Sequence, residues 1–162
     1  MKTKLFLCVM FVCMAFASQA QSNADEQLQR DWFVQSVKQT TYKNAEKVEV
    51  INYQKAELLQ EGTQMPQGLI LHLSFERGEN KVGACMSNDA NARFLYVNSK
   101  GTFQINGNHL VLTLDQYISG VEVQNIYDLT YAVLGDQLTV SYTILDASDI
   151  TVNYQYEITF NI

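Results

Sequence analysis

The last fourteen residues, DITVNYQYEITFNI (149–162), alternate between apolar and polar side chains over almost their whole length. One set is apolar: Ile150, Val152, Tyr154, Tyr156, Ile158, Phe160 and Ile162. Because successive side chains of a strand point to opposite faces, this alternation predicts a β-strand with one apolar and one polar face. The apolar face must pack against other parts of the chain.

The preceding segments are short strand-like runs joined by tight turns. The turns NSKG (98–101), NGN (106–108) and GD (135–136) are each flanked by alternating apolar residues, which is the sequence pattern of a β-hairpin. About eight to ten sequential strands form a meander, and a long meander closes into a barrel because closure removes its exposed edges. We therefore predict an all-β fold, an antiparallel up-and-down β-barrel. Its last strand should line the interior and pair with the first strand near Trp32, after a short helical turn in ADEQLQR (24–30).

The first twenty residues have the pattern of a secretory signal peptide. A basic MKTK start is followed by the apolar run LFLCVMFVCMAFA and the small-x-small exit SQA, a run too short for a spanning helix. We expect cleavage after Ala20, leaving 21–162 as a single barrel domain. The protein is then exported to a bacterial periplasm or to the extracellular space.

Removal of that segment changes both the cysteine count and the charge. Cys8 and Cys13 leave with it, so Cys85 remains alone and no intramolecular disulfide is possible. Lys2 and Lys4 also leave, so nine basic residues remain against 17 acidic ones, a net charge of −8. A surface of that charge repels phosphate, which argues against nucleic-acid binding.

Two segments carry a resemblance to a known family. YVNSKGTFQINGNHLVLTL (96–114) has the order strand, Gly-Thr-Phe, turn and Leu-x-Leu strand, and YDLTYAVLGDQLTVSYTI (127–144) is a further strand, turn and strand. Together with the early Trp32, they resemble the secreted lipocalin-like domains common in Bacteroidetes bacteria. The resemblance implies that a small hydrophobic or amphipathic molecule binds without catalysis in the mouth of the barrel.

Inward-facing aromatic residues are the candidates for that ligand site. Their rings offer apolar area and their hydroxyls offer polar fixing points, a mixture that small-molecule pockets use. The candidates are Tyr127, Tyr131, Tyr142, Tyr154, Tyr156 and Phe103. The alternative is an inert barrel whose aromatic core is filled. Its loops QEGTQMPQG (60–68) and MSNDANAR (86–93) would then contact an unidentified protein partner.

Other classes of function are less favoured by the sequence. The segments GTFQI and HLVLTL are shorter than the ~9–11 residues of a membrane-spanning strand. His72, Ser74 and Glu76 share one strand face, but it is the face opposite the apolar one. We expect no histidine to neighbour Cys85, and DASD (146–149) offers too few oxygen ligands for calcium. We therefore expect no catalytic residue, no metal and no cofactor.

Overall fold

The computed structural model describes residues 26–58, 68–77, 79–87, 96–118, 121–146 and 148–162. The predicted signal peptide (1–20) and most of the two candidate interaction loops lie outside these residues. Expectations about export and about the loops therefore remain predictions.

Nine antiparallel strands make up most of the described chain. They are β1 (Asp31–Lys43), β2 (Glu46–Gln54), β3 (Ile70–Phe75), β4 (Lys81–Ser87), β5 (Tyr96–Asn106), β6 (His109–Ile118), β7 (Val121–Leu134), β8 (Gln137–Leu145) and β9 (Val152–Asn161). A four-residue helix, α1 (Lys55–Leu58), follows β2, and a helical turn at 26–28 precedes β1. No helix among the described residues has the length and apolar character needed to cross a membrane.

Eight of these strands close a barrel, and β2 is an additional strand outside the ring. Each strand from β3 to β8 pairs with the next, and β1 joins the two ends of this series by pairing with both β9 and β3. One edge of β1 is shared: Asp31–Phe33 pair with β3, and Ser36–Lys43 pair with β2. The predicted all-β up-and-down barrel is confirmed.

The last strand has the environment that its alternation predicts. Tyr156, Ile158 and Phe160 are buried, and β9 pairs with β1 from Phe33 onward, next to Trp32. The predicted apolar face of 149–162 is buried only within β9. Ile150 precedes β9 and Ile162 follows it, and both are exposed because no neighbouring strand covers them.

An apolar cluster of Leu28, Trp32, Phe75 and Phe103 closes the end of the barrel at which β1 begins. We call this end the tryptophan end. Trp32 is fully buried, and its Nε1 donates a hydrogen bond to the Leu28 carbonyl at 3.0 Å. Phe75 and Phe103 meet edge to face with their ring centroids 5.0 Å apart. The helical turn predicted within 24–30 thus supplies the residue that covers Trp32.

Candidate functional site at the tyrosine end of the barrel

The barrel wall is incomplete between β7 and β8 at the opposite end. These strands pair only where Thr130–Leu134 face Gln137–Ser141. Beyond that point, β7 continues to pair with β6 and β8 with β9. As a result, the inward-facing Val123, Asn125 and Tyr127 of β7 are half-buried. We call this region the tyrosine end and define it by Gln116, Tyr127, Tyr142, Tyr154 and Tyr156.

Three of the predicted tyrosines form a row of rings across this end. The centroids of Tyr127 and Tyr142 lie 6.5 Å apart with the rings nearly perpendicular. Those of Tyr142 and Tyr156 lie 5.2 Å apart and are tilted at 43°. The row runs from the half-buried β7 wall to the fully packed β9 wall, so it has one accessible side and one buried side.

The hydroxyl of Tyr142 replaces strand pairing that is missing at the start of β3. It accepts a hydrogen bond from the Ile70 amide and donates one to the Gly68 carbonyl, both at 3.0 Å. Burial raises the pKa of Tyr142 well above its ordinary value, and the bond from Ile70 opposes this only in part. This side chain therefore ties β8 to β3 through the barrel interior.

Tyr154 belongs to the rim of the site. Its hydroxyl donates a 2.7 Å hydrogen bond to Asp146 Oδ2 in the loop between β8 and β9. That bond is the main cause that raises the pKa of Tyr154 to about 12. The other oxygen of Asp146 accepts bonds from Ser148 and the Asp149 amide, and these bonds lower the pKa of Asp146. The rim therefore carries a negative charge held in a fixed position.

A cluster of amides lies beside Tyr127 on the inner wall. Asn125 Nδ2 donates to Gln116 Oε1 at 2.6 Å, and Gln116 Nε2 lies 3.3 Å from the sulfur of Met86. Burial raises the pKa of Tyr127, and its hydrogen bond with Gln116 opposes this shift. Our sequence reasoning did not identify Gln116, although it continues the inward parity of Leu110, Leu112 and Leu114.

Some polar atoms in the interior have no partner. Gln39 and Ser99 are almost fully buried, and Gln39 Oε1 and Ser99 Oγ make no hydrogen bond. The Tyr156 hydroxyl also has no hydrogen-bond partner among the described residues, and burial raises its pKa. Unpaired buried polar atoms cost stability, about 1–3 kcal/mol each, so the tyrosine end is not optimised for packing alone.

The two other predicted site residues lie on the side of the tryptophan end. Phe103 belongs to that end, where it packs on Phe75. Tyr131 is half-buried and lies four residues beyond Tyr127 on the same face of β7, where it pairs with Val140, two residues before Tyr142 in β8. Of the six candidates, Tyr127, Tyr142, Tyr154 and Tyr156 are therefore the four at this end.

The outer face of the barrel brings together residues that the sequence did not connect. His72 and Cys85 are cross-strand partners in β3 and β4, so the expectation that Cys85 has no neighbouring histidine is wrong. The cause is strand register, which sequence distance does not reveal. His72 stacks on Phe33 at 4.5 Å, and burial raises the pKa of the half-buried Cys85 thiol. Within the described residues, no group of three His, Cys, Asp or Glu side chains is placed to hold a metal ion.

A shallow polar groove of about 170 Å³ lies on the outside of β1 and β9. Lys38 and Glu157 face each other there at 4.0 Å, and Tyr42 donates to Gln155 at 3.3 Å. Its lining side chains already pair with one another at the surface. The groove is separate from the interior tyrosine row because these side chains occupy the opposite face of their strands.

Comparison with known proteins finds similarity at the level of structure and none at the level of sequence. No family model matches the sequence, and no curated protein matches it. Among solved structures, the fold is similar to a mutant of the vaccine antigen Transferrin Binding Protein B from Haemophilus parasuis Hp5, at 8% identity and a TM-score of 0.40. The match covers 85% of this chain and 27% of that chain, so this protein spans about a quarter of the length of its neighbour.

Proposed function

We propose that this protein is a non-catalytic binding barrel for a small hydrophobic or amphipathic molecule, which it holds at the tyrosine end. The observation that carries the proposal is the break in the wall between β7 and β8. It leaves Tyr127 and its neighbours half-buried beside a row of aromatic rings. Apolar surface with a few convergent polar groups is what small-molecule sites present.

The chemistry of the described residues gives more support to binding than to catalysis. Cys85 has a raised pKa because it is buried, whereas a nucleophilic cysteine needs a lowered one. A neutral thiol beside His72 on the outer face is therefore poorly suited to attack a substrate. We propose that the protein is not an enzyme and needs no cofactor.

The alternative is an inert barrel that acts through its loops. It is favoured by the packing of Tyr142 and Tyr156, which are 6% and 1% exposed. In this alternative, the tyrosine row is part of a filled core, and the half-buried β7 residues lie at the edge of that core without forming a binding site. The two possibilities differ in whether a small molecule can enter beside Tyr127.

A dye-binding experiment separates these alternatives. N-phenyl-1-naphthylamine, an uncharged dye that fluoresces in apolar surroundings, should bind the folded protein at one saturable site. Tyr127→Trp should weaken binding by about tenfold or more because the larger ring occupies the entrance. The matched control is Ile126→Trp, which changes the adjacent residue on the outer face, where the side chain is 70% exposed. Absence of saturable binding, or equal effects of the two substitutions, would favour the filled barrel.

We also propose that the chain is exported, with a relationship to the secreted lipocalin-like proteins of Bacteroidetes. The support is the pattern of residues 1–20 and the strand rhythm of 96–144. Intact-mass measurement of protein from its own host should give a chain beginning at Gln21. A chain that keeps Met1, or that carries a lipid on Cys13, would contradict this proposal.

A further inference from the structure

The interior of the barrel has no charged side chain among the residues described. The buried polar residues of the described chain are all uncharged: Gln39, Ser87, Ser99, Gln116 and, in the outer groove, Thr40. A buried charge without a partner is far more costly than a buried neutral group that can hydrogen-bond. At the rim, the lowered pKa of Asp146 keeps a negative charge next to Tyr154. A charged ligand would find no counter-charge inside, and an anion would also be repelled at the entrance.

One interior donor has a poor acceptor. Gln116 Nε2 faces the Met86 sulfur at 3.3 Å, and a thioether is only a weak hydrogen-bond acceptor. The same amide also hydrogen-bonds with Asn125 and Tyr127, which fixes its orientation and leaves the contact with the Met86 sulfur as its weak one. Met86 has a flexible side chain that can adopt another rotamer at low cost. An oxygen atom arriving at this point would therefore improve the hydrogen bonding of Gln116.

This donor also belongs to the buried glutamine that lies nearer the break in the wall. Gln116 pairs with Val123 across β6 and β7 and contacts Asn125 and Tyr127, and all three β7 residues are half-buried. Gln39, the other buried glutamine, lies between Ile51 of β2 and Tyr156 of β9. Gln116 is thus the glutamine that a molecule entering beside Tyr127 meets.

We propose that the ligand is an uncharged molecule with a carbonyl or hydroxyl oxygen, and that this oxygen accepts a hydrogen bond from Gln116 Nε2 in place of the Met86 sulfur. The inference rests on the proposed binding function and specifies its ligand class. The tyrosine rings contact the apolar body of the ligand, and the amide determines which polar group is accepted.

Three probes that share a naphthalene ring test the ligand class: 2-acetylnaphthalene, 2-isopropylnaphthalene and 2-naphthoate. The first two have similar shapes, but only the ketone accepts a hydrogen bond, and the third is an anion. By isothermal titration calorimetry at neutral pH, the ketone should bind about tenfold more tightly than the isopropyl probe, the gain expected for one hydrogen bond. The carboxylate should bind at least about a hundredfold more weakly than the ketone.

Two matched variants test the role of the residue. Gln116→Met removes the amide at similar side-chain length, so the ketone should lose its advantage while the isopropyl probe binds as before. Gln39→Met makes the same change on the other wall and should leave the ratio of the two affinities unchanged. Three outcomes would overturn the inference and leave the binding function in place. The ketone could keep its advantage over the isopropyl probe in Gln116→Met, it could lose that advantage in Gln39→Met, or the carboxylate could bind tightly. If no probe binds, the proposed function itself fails.

Discussion

The two ends of the barrel bury similar numbers of aromatic rings but differ in how their polar atoms are used. At the tryptophan end, the indole nitrogen of Trp32 has a carbonyl partner, and the two phenylalanines have no polar atom to satisfy. At the tyrosine end, Tyr142 is fully bonded. In contrast, Gln39 Oε1 and Ser99 Oγ make no hydrogen bond, and Gln116 Nε2 donates to the Met86 sulfur.

This difference separates stability from binding. Complete hydrogen bonding and dense packing at one end are what a closed, stable core requires. Incomplete hydrogen bonding next to a break in the wall is a cost that packing does not explain. The comparison therefore assigns stability to the tryptophan end and ligand contact to the tyrosine end.

The largest expected effect on stability comes from truncating the tryptophan end. Trp32→Ala should lower the free energy of unfolding by about 3–5 kcal/mol, because it removes a fully buried ring and leaves a cavity. Urea denaturation measures the loss. Tyr154→Ala, a truncation of a half-buried ring at the other end, should cost less. A smaller loss for Trp32→Ala than for Tyr154→Ala would reverse the assignment of the two ends.

The next effect compares two hydroxyls within the tyrosine end. Tyr142→Phe leaves the Ile70 amide and the Gly68 carbonyl without their partner, so it should cost about 1–3 kcal/mol in urea denaturation. Tyr156→Phe removes a hydroxyl that has no hydrogen-bond partner among the described residues, so it should be neutral or slightly stabilising. Equal costs for the two substitutions would show that the link between β8 and β3 does not contribute to stability.

Alkaline pH should weaken the tyrosine end. Burial raises the pKa of Tyr142 and of Tyr156, and the bond to Asp146 raises the pKa of Tyr154 to about 12. A raised pKa in the folded state stabilises fully below the unfolded value of about 10, and that contribution is lost as pH rises through the folded pKa. The free energy of unfolding should therefore fall between about pH 10 and pH 12.

Urea denaturation at stepped pH measures that fall. Tyr154→Phe should reduce its size, because one of the tyrosines with a raised pKa is then absent. Trp32→Phe changes only the tryptophan end and should leave the slope against pH unaltered. A free energy of unfolding that stays constant or rises over this range would contradict the burial of these hydroxyls.

Much of the barrel follows from patterns with a fixed period. The alternation in β9, the turns at 106–108 and 135–136 and the length of the meander predict the closed barrel and the pairing of β9 with β1. These features are local, or follow from the need to cover strand edges. The turn predicted at NSKG (98–101) is wrong, because these residues lie inside β5 and pair with β4. The sequence also indicates that Gln116 points inward, since it follows three leucines at every second position of the same strand.

Features that depend on register were not predictable from the sequence. The sequence of β2 reads as one more strand of the meander, yet β2 pairs only with β1 because β1 shares one edge between two partners. The register shift in β3 between Ile70 and His72 buries both Ile70 and Leu71. The same strand pair sets His72 opposite Cys85. Each of these outcomes is decided by contacts between segments, which no single segment encodes.

The smallest expected effect concerns strain in the turn between β1 and β2, at the tyrosine end. Asn44 and Ala45 both have positive φ, 52° and 65°. This is the geometry of a two-residue hairpin turn in which glycine is preferred at the second position. Alanine is strained there because its Cβ crowds the following carbonyl. Ala45→Gly should therefore raise the free energy of unfolding by about 0.5–1 kcal/mol, measured by urea denaturation.

Ala132→Gly is the matched control for that substitution. Ala132 is an exposed residue within β7, and its φ is not positive, so glycine there should instead destabilise the protein by about 0.5–1 kcal/mol. Opposite signs for the two substitutions would establish that the turn stores strain. The same sign for both would mean that chain entropy alone governs them. The Asn44 amide bonds the Thr151 carbonyl at 2.9 Å, so relief of the strain should also slow hydrogen exchange at Asn44. Such a local gain would tie the turn to the loop that carries Asp146, and through it to the rim of the site.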